Sequence, residues 1–193
     1  MVFIGVHSWQ LFCIFLYASL LISGGSGLHI ISRREWGAAP SRRLFSKITK
    51  PAHHVILHHT EQPTICSGDS CKNSIRAIQK YHFSRGYSDI GYSFLIGTDG
   101  QIYEGRGWGV VGAHTYGYNR NGYGIALVGD FRRNKPTLAA LNSVKQLIHL
   151  GVRNNWIDPK YKLFGHRNVG QTECPGNELY NIISKWSHFE LRK

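Results

Sequence analysis

A histidine and a cysteine share one short segment near the C-terminus, Gly165-His166-Arg167-Asn168-Val169-Gly170-Gln171-Thr172-Glu173-Cys174-Pro175-Gly176. The chain has four cysteines. Cys13 falls in an N-terminal apolar run, and Cys66 and Cys71 bracket the polar loop Ser67-Gly68-Asp69-Ser70 as a local disulfide would. Cys174 is left over, and an unpaired thiol in a chain that reads as secreted needs a reason, of which metal ligation is one. Zinc takes nitrogen and sulfur ligands in tetrahedral geometry, and a catalytic site keeps three protein ligands and one open position. His166 and Cys174 are near enough in sequence to converge, and His58 ends the run His54-Val55-Ile56-Leu57-His58, a strand that can face them. Such a site would polarise a carbonyl and lower the pKa of water toward ~7. Spacing alone leaves other readings open. Eleven histidines make chance pairings easy, a strand histidine can be a satisfied core group, and Cys174 can be buried and inert or bridge to another chain.

The elements around these groups read as α/β: a single domain with a central mixed β-sheet flanked by about three helices. His54 to His58 suits a buried strand, with His54, Ile56 and His58 on one face. A helix follows the Cys66–Cys71 loop, capped by Asp69 or Ser70, with Ile75, Ile78 and Tyr81 or His82 on its apolar face and Gly86 at its end. Asp99-Gly100, between Tyr92–Ile96 and Gln101–Glu104, signals a hairpin. The glycine-rich stretch from Gly105 to Gly124 carries Trp108, His114, Tyr116, Tyr118 and Tyr123, and fits a binding surface better than a core segment. Ile125 to Val128 reads as a buried strand. Pro136-Thr137 opens a second helix with Leu138, Leu141, Val144, Ile148 and Val152 at helical spacing. Asp158-Pro159 breaks the chain, Lys162-Leu163-Phe164 forms a short strand that delivers His166, and a last helix carries Leu179, Ile182, Ile183 and Trp186.

The formal net charge is +12, which points to an anionic partner: nucleic acid, acidic lipid and bacterial wall polymers all qualify. No charged residue precedes Arg33, and Leu11–Ile22 is an apolar run followed by Ser23-Gly24-Gly25-Ser26-Gly27. A cleaved signal over residues 1–27 is expected, with the domain over 28–193, secretion and no stable membrane anchor. As a helix the run would span roughly 18 Å, short of the ~30 Å hydrocarbon core. The wider stretch Val2–Ile22 comes nearer to spanning, but Arg33 and Arg34 beyond it would keep the domain cytoplasmic, where a Cys66–Cys71 bond is disfavoured.

Seven stretches resemble, in order and over essentially the whole mature chain, the peptidoglycan recognition proteins of the short secreted type, related to phage and bacterial type-2 amidases. They are Arg34-Glu35-Trp36-Gly37, Val55-Ile56-Leu57-His58-His59-Thr60, Asp89-Ile90-Gly91-Tyr92-Ser93-Phe94, Tyr103-Glu104-Gly105-Arg106-Gly107-Trp108, Gly112-Ala113-His114, Gly124-Ile125-Ala126-Leu127-Val128-Gly129, and Gly165-His166-Arg167 through Cys174-Pro175-Gly176. The resemblance implies Zn2+ held by His58, His166 and Cys174. Tyr92 would assist the reaction, and Thr172 stands where phage relatives carry a lysine. The implied reaction is hydrolysis of the amide between N-acetylmuramic acid and L-alanine in bacterial peptidoglycan, in innate immunity. Family members that only bind typically lack the cysteine.

Trp108, His114, Tyr116 and Asn119 are candidates to contact the muropeptide, or else to pack their own loop; Arg120 could meet a free carboxylate such as diaminopimelate offers. Gly109-Val110, where the family distinguishes diaminopimelate from lysine stem peptides, fits neither usual pair. Tyr92 can equally be a core residue with its hydroxyl on backbone. His59 and His149 read as structural. Two alternatives stand beside the amidase: a non-catalytic receptor presenting peptidoglycan to a signalling partner, and a basic nucleic-acid binder with stacking aromatics. No nucleic-acid motif appears, and the expected signal and disulfide argue against the latter.

Overall fold

The computed structural model describes residues 27–48, 51–62 and 65–191. Cys13 and the expected signal, Gly27 apart, lie outside the described residues. The elements run β1 (Ile30–Ile31), β2 (Ala52–His59), α1 (Asp69–Ser84), β3 (Phe94–Ile96), β4 (Ile102–Glu104), β5 (Gly122–Leu127), α2 (Leu138–Arg153), β6 (Ile157–Gly165), a 3-10 turn over His166–Asn168, and α3 (Asn177–Ile183). The six strands make one mixed sheet in the order β1-β4-β3-β5-β2-β6. All neighbours are parallel except β3 and β4, which form the hairpin read from Asp99-Gly100, with Gly100 at φ +84°.

Alternation along the strands separates two cores. Val55 and Leu57 of β2, Phe94 and Ile96 of β3, and Ile125 and Leu127 of β5 pack with Leu141, Val144, Leu147 and Ile148 of α2. Each fully buried aliphatic side chain here stabilises by about 1.5–3 kcal/mol. On the other face, Leu95, Tyr103 and Ala126 pack with Ile75 and Ile78 of α1 and with Trp36. The β2 residues His54, Ile56 and His58 turn to this second face, as their alternation predicts.

Thr137 caps α2 by accepting a hydrogen bond from the Ala140 amide, a contact that contributes about 1 kcal/mol. Leu138 departs from the expected apolar face: at the first turn it stands clear of the sheet, 78% exposed. The N-cap of α1 is Gly68, not Asp69 or Ser70. Asp69 pairs with Lys72, and the Ser70 hydroxyl serves the preceding turn by accepting from the Ser67 amide. Asp158-Pro159 lies inside β6. β6 is an edge strand, and its register against β2 jumps between Ala52 and His54, so proline falls where no ladder bond is required. Trp186 lies beyond the end of α3 and packs against the α2-side core. The expected disulfide is formed, Cys66 to Cys71, with Cα atoms 4.7 Å apart.

Candidate functional site

The C-terminal ends of β2 and β6 lie side by side, with Leu57 registered against Gly165. His58 therefore sits beside the point where the chain leaves β6 into His166, and the two rings are 4.5 Å apart. Asn168 fixes the 3-10 turn: its Oδ1 accepts from the Gly165 amide at 3.0 Å and its Nδ2 donates to the Tyr180 hydroxyl at 2.9 Å.

Cys174 is returned to the same corner by its loop. The Arg167 amide donates to the Cys174 carbonyl at 2.8 Å, and the Cys174 amide donates to Thr172 Oγ1 at 3.1 Å. Gly176 then passes so close to Phe131 that a Cβ would lie 2.3 Å from its backbone, with φ at +85°. The Cys174 sulfur accepts from the His59 amide at 3.4 Å and faces His58 Nδ1 at 3.7 Å. The ligand atoms of His58, His166 and Cys174 all lie within 4.8 Å of one another.

Burial sets the charge state of this corner. It pushes His58 well below the usual imidazole range, helped by His114 and His166, and lowers His166. It also pushes the Cys174 thiol up to about 12. Two neutral imidazoles and a thiol that keeps its proton until a cation displaces it form a soft donor set of two nitrogens and one sulfur, suited to zinc and unsuited to hard oxygen-seeking cations.

Tyr92 lies beside His58, ring to ring at 5.2 Å. Burial raises its hydroxyl pKa, so it stays protonated at neutral pH, and no hydrogen bond joins that hydroxyl to another described residue. His114 is also in the corner, with Nδ1 3.2 Å from His58 Nε2. Thr172 reaches the site indirectly: it holds the Cys174 loop and lines an open cleft of about 810 Å³ with Arg132, Arg133 and Arg167.

The remaining expected contacts spread out. Tyr116 is 98% exposed and Arg120 is exposed on the same loop. Asn119 turns inward, its Oδ1 accepting from the His114 and Thr115 amides at 2.8 and 2.9 Å. Trp108 is not brought to the corner: it packs between Phe94, Tyr123 and Trp156 toward the α2 side of the sheet. His59, read as structural, is buried with Nδ1 accepting from the Phe131 amide at 3.3 Å. Sequence reasoning passed over Thr115, whose Oγ1 lies 3.5 Å from His58 Nε2; its place next to His114 was the available signal.

The family model described as N-acetylmuramoyl-L-alanine amidase matches residues 48–177. Peptidoglycan-recognition protein LB of Drosophila melanogaster is 46% identical over 168 residues, 86% of this chain and 72% of that protein. The N-acetylmuramoyl-L-alanine amidase of Mus musculus is 43% identical over 161 residues, 81% of this chain but 30% of its own length, so this chain spans under a third of that relative. Among solved structures, a Drosophila PGRP-LB mutant in complex with tracheal cytotoxin aligns with a TM-score of 0.81 at 46% identity, over 83% of this chain and 96% of that one.

Proposed function

The chain belongs to the N-acetylmuramoyl-L-alanine amidase family, among the peptidoglycan-recognition proteins, and we propose on that premise that it is a secreted zinc amidase of innate immunity that binds bacterial peptidoglycan and hydrolyses the amide between N-acetylmuramic acid and L-alanine. The observation that carries this reading is the convergence of His58, His166 and Cys174, with ligand atoms within 4.8 Å of one another, beside the Tyr92 ring. His58, His166 and Cys174 hold the metal. When bound, zinc supplies Lewis acidity toward the amide carbonyl and toward water. Tyr92, protonated and without a hydrogen-bond partner among the described residues, donates to the amide oxygen as negative charge develops there. A receptor that only binds has no chemical use for this full set.

On the substrate side, Thr172 joins the Cys174 loop to the arginine-lined cleft, and a muropeptide with free carboxylates suits a chain of net charge +12. The tracheal cytotoxin complex of the related Drosophila protein supports a muropeptide ligand. Tyr116 offers an exposed ring to it. Arg120, without an ion pair among the described residues, meets a free carboxylate, and this favours a diaminopimelate stem peptide. Trp108 is left out of the contact set, because its ring is engaged in the core. Cleavage of residues 1–27 releases the domain 28–193. The formed Cys66–Cys71 bridge supports an oxidising compartment, and among the described residues no helix is long and apolar enough to cross a membrane.

The test is release of muropeptides from purified diaminopimelate-type and lysine-type peptidoglycan by the zinc-loaded protein and its Cys174→Ser variant. Turnover that is lost in the variant while binding persists is the expected result. A zinc-loaded wild type that binds but releases nothing would make the protein a receptor.

A further inference from the structure

We infer that His114 is a positioning residue of the metal centre: it accepts a hydrogen bond from His58 Nε2–H and thereby holds the His58 ring with Nδ1 bare and aimed at the metal. The inference rests on the zinc reading above. The two nitrogens of His58 face different groups. Nδ1 is 3.7 Å from the Cys174 sulfur, while Nε2 is 3.2 Å from His114 Nδ1 and 3.5 Å from Thr115 Oγ1. A neutral imidazole carries one proton, and the nitrogen that ligates a metal cannot be the one that carries it. The proton belongs on Nε2, which is buried, and a buried N–H without an acceptor costs about 1–3 kcal/mol. His114 Nδ1 is the nearer of the two acceptors in reach.

For His114 to accept at Nδ1, its own proton must sit on Nε2. That atom is buried and makes no ordinary hydrogen bond among the described residues. His114 Nδ1 also faces the Thr115 hydroxyl, at 3.0 Å. With the His58 proton on Nε2, the hydrogen bond runs in one direction, from the His58 N–H to His114 Nδ1.

The surroundings of His114 hold it in that role. A Cβ at Gly112 or Gly124 would lie 2.5 or 2.4 Å from its ring, so the slot exists only because both positions are glycine. Asn119 clamps the loop that carries it, through the amides of residues 114 and 115. A ring wedged between two glycines and 9% exposed has little surface for a substrate contact, the role the sequence suggested. Partners that fix the tautomer of a ligating histidine commonly change metal affinity about 10–100-fold when removed.

Two measurements test this. Competition titration with a chromogenic chelator gives the zinc affinity of wild type, His114→Ala and His114→Gln, each checked for a cooperative thermal transition. Nitrogen-detected NMR of the zinc-loaded wild type, which needs no variant, seeks a scalar coupling across the hydrogen bond between His58 Nε2 and His114 Nδ1. The expected result is that coupling, a loss of about 10–100-fold in zinc affinity for the alanine variant, and partial recovery with glutamine, whose amide oxygen can accept. Absence of the coupling, or a folded alanine variant with wild-type zinc affinity, overturns the inference while leaving the zinc site standing. A wild type that takes up no zinc overturns the zinc reading itself, and this inference with it.

Discussion

The two faces of β2 do different work with one eight-residue strand. Val55 and Leu57 point into the α2-side core with no exposure at all, where they need only shape and volume. His54, Ile56 and His58 point the other way. There His58 is equally buried but sits among His114, His166, Tyr92 and Cys174, where the position of a single proton matters. The first face tolerates apolar exchange of similar volume. The second fixes atoms rather than volumes, because a buried polar group must find its partner. A rigid aliphatic layer beneath a polar one gives the site the fixed frame that metal ligation needs.

Five changes, one of them paired with a control substitution, would break or sharpen this contrast. Cys174→Ser removes the thiolate ligand and is expected to abolish muropeptide release and to erase the rise in melting temperature that zinc gives the wild type. Calorimetry with and without zinc, beside the turnover assay, checks both. Leu57→Ala strikes the opposite face and is expected to cost about 2–5 kcal/mol of stability, read by urea denaturation. His54→Ala on the same strand, only partly buried, should cost less; equal losses would mean that the two faces do not differ as described.

Tyr92→Phe should lower the turnover number about 10²–10³-fold with zinc affinity unchanged, so a fall in zinc binding would assign the tyrosine to architecture. The fourth change is pH. Burial lowers His54, His58, His59, His82, His114 and His166, with His82 brought to about 4 and His114 to about 3. The unfolded chain then binds more protons than the folded one below the ordinary histidine value of ~6.5. Stability of the zinc-free protein should therefore be highest near neutral pH and fall as pH drops toward 4, and a melting temperature that holds steady across that acid window would contradict the buried neutral imidazoles. The smallest effect is expected from Tyr116→Ala: less than about tenfold in muropeptide binding, and none in stability, since the ring touches little of the fold.

Much of this was legible in the residues. Alternation along His54–His58 assigned the faces of β2, Thr137 marked the start of α2, Asp99-Gly100 marked the hairpin, and the leftover Cys174 pointed to a cluster with His58 and His166, whose ligand atoms lie within 4.8 Å of one another. All are local signals, carried by residue type and spacing within one element. Asp158-Pro159 misled for a physical reason: proline forbids a ladder bond, but at an edge strand with a register jump none is needed. The glycine-rich loop from Gly105 to Gly124 left two readings open, muropeptide contact or packing of its own loop. Trp108 packs in the core, Asn119 clamps its own backbone, and His114 lies in a slot that two glycines leave open, while Tyr116 stays exposed. Sequence by itself determined which residues can bind a soft cation and which strand offers His58, because those follow from side-chain chemistry and periodicity. Tertiary structure alone decided that the ends of β2 and β6 meet, that His58 turns Nδ1 to the thiol and Nε2 to His114, and which loop side chains face inward, because strand register and burial are set by contacts between residues far apart in the chain.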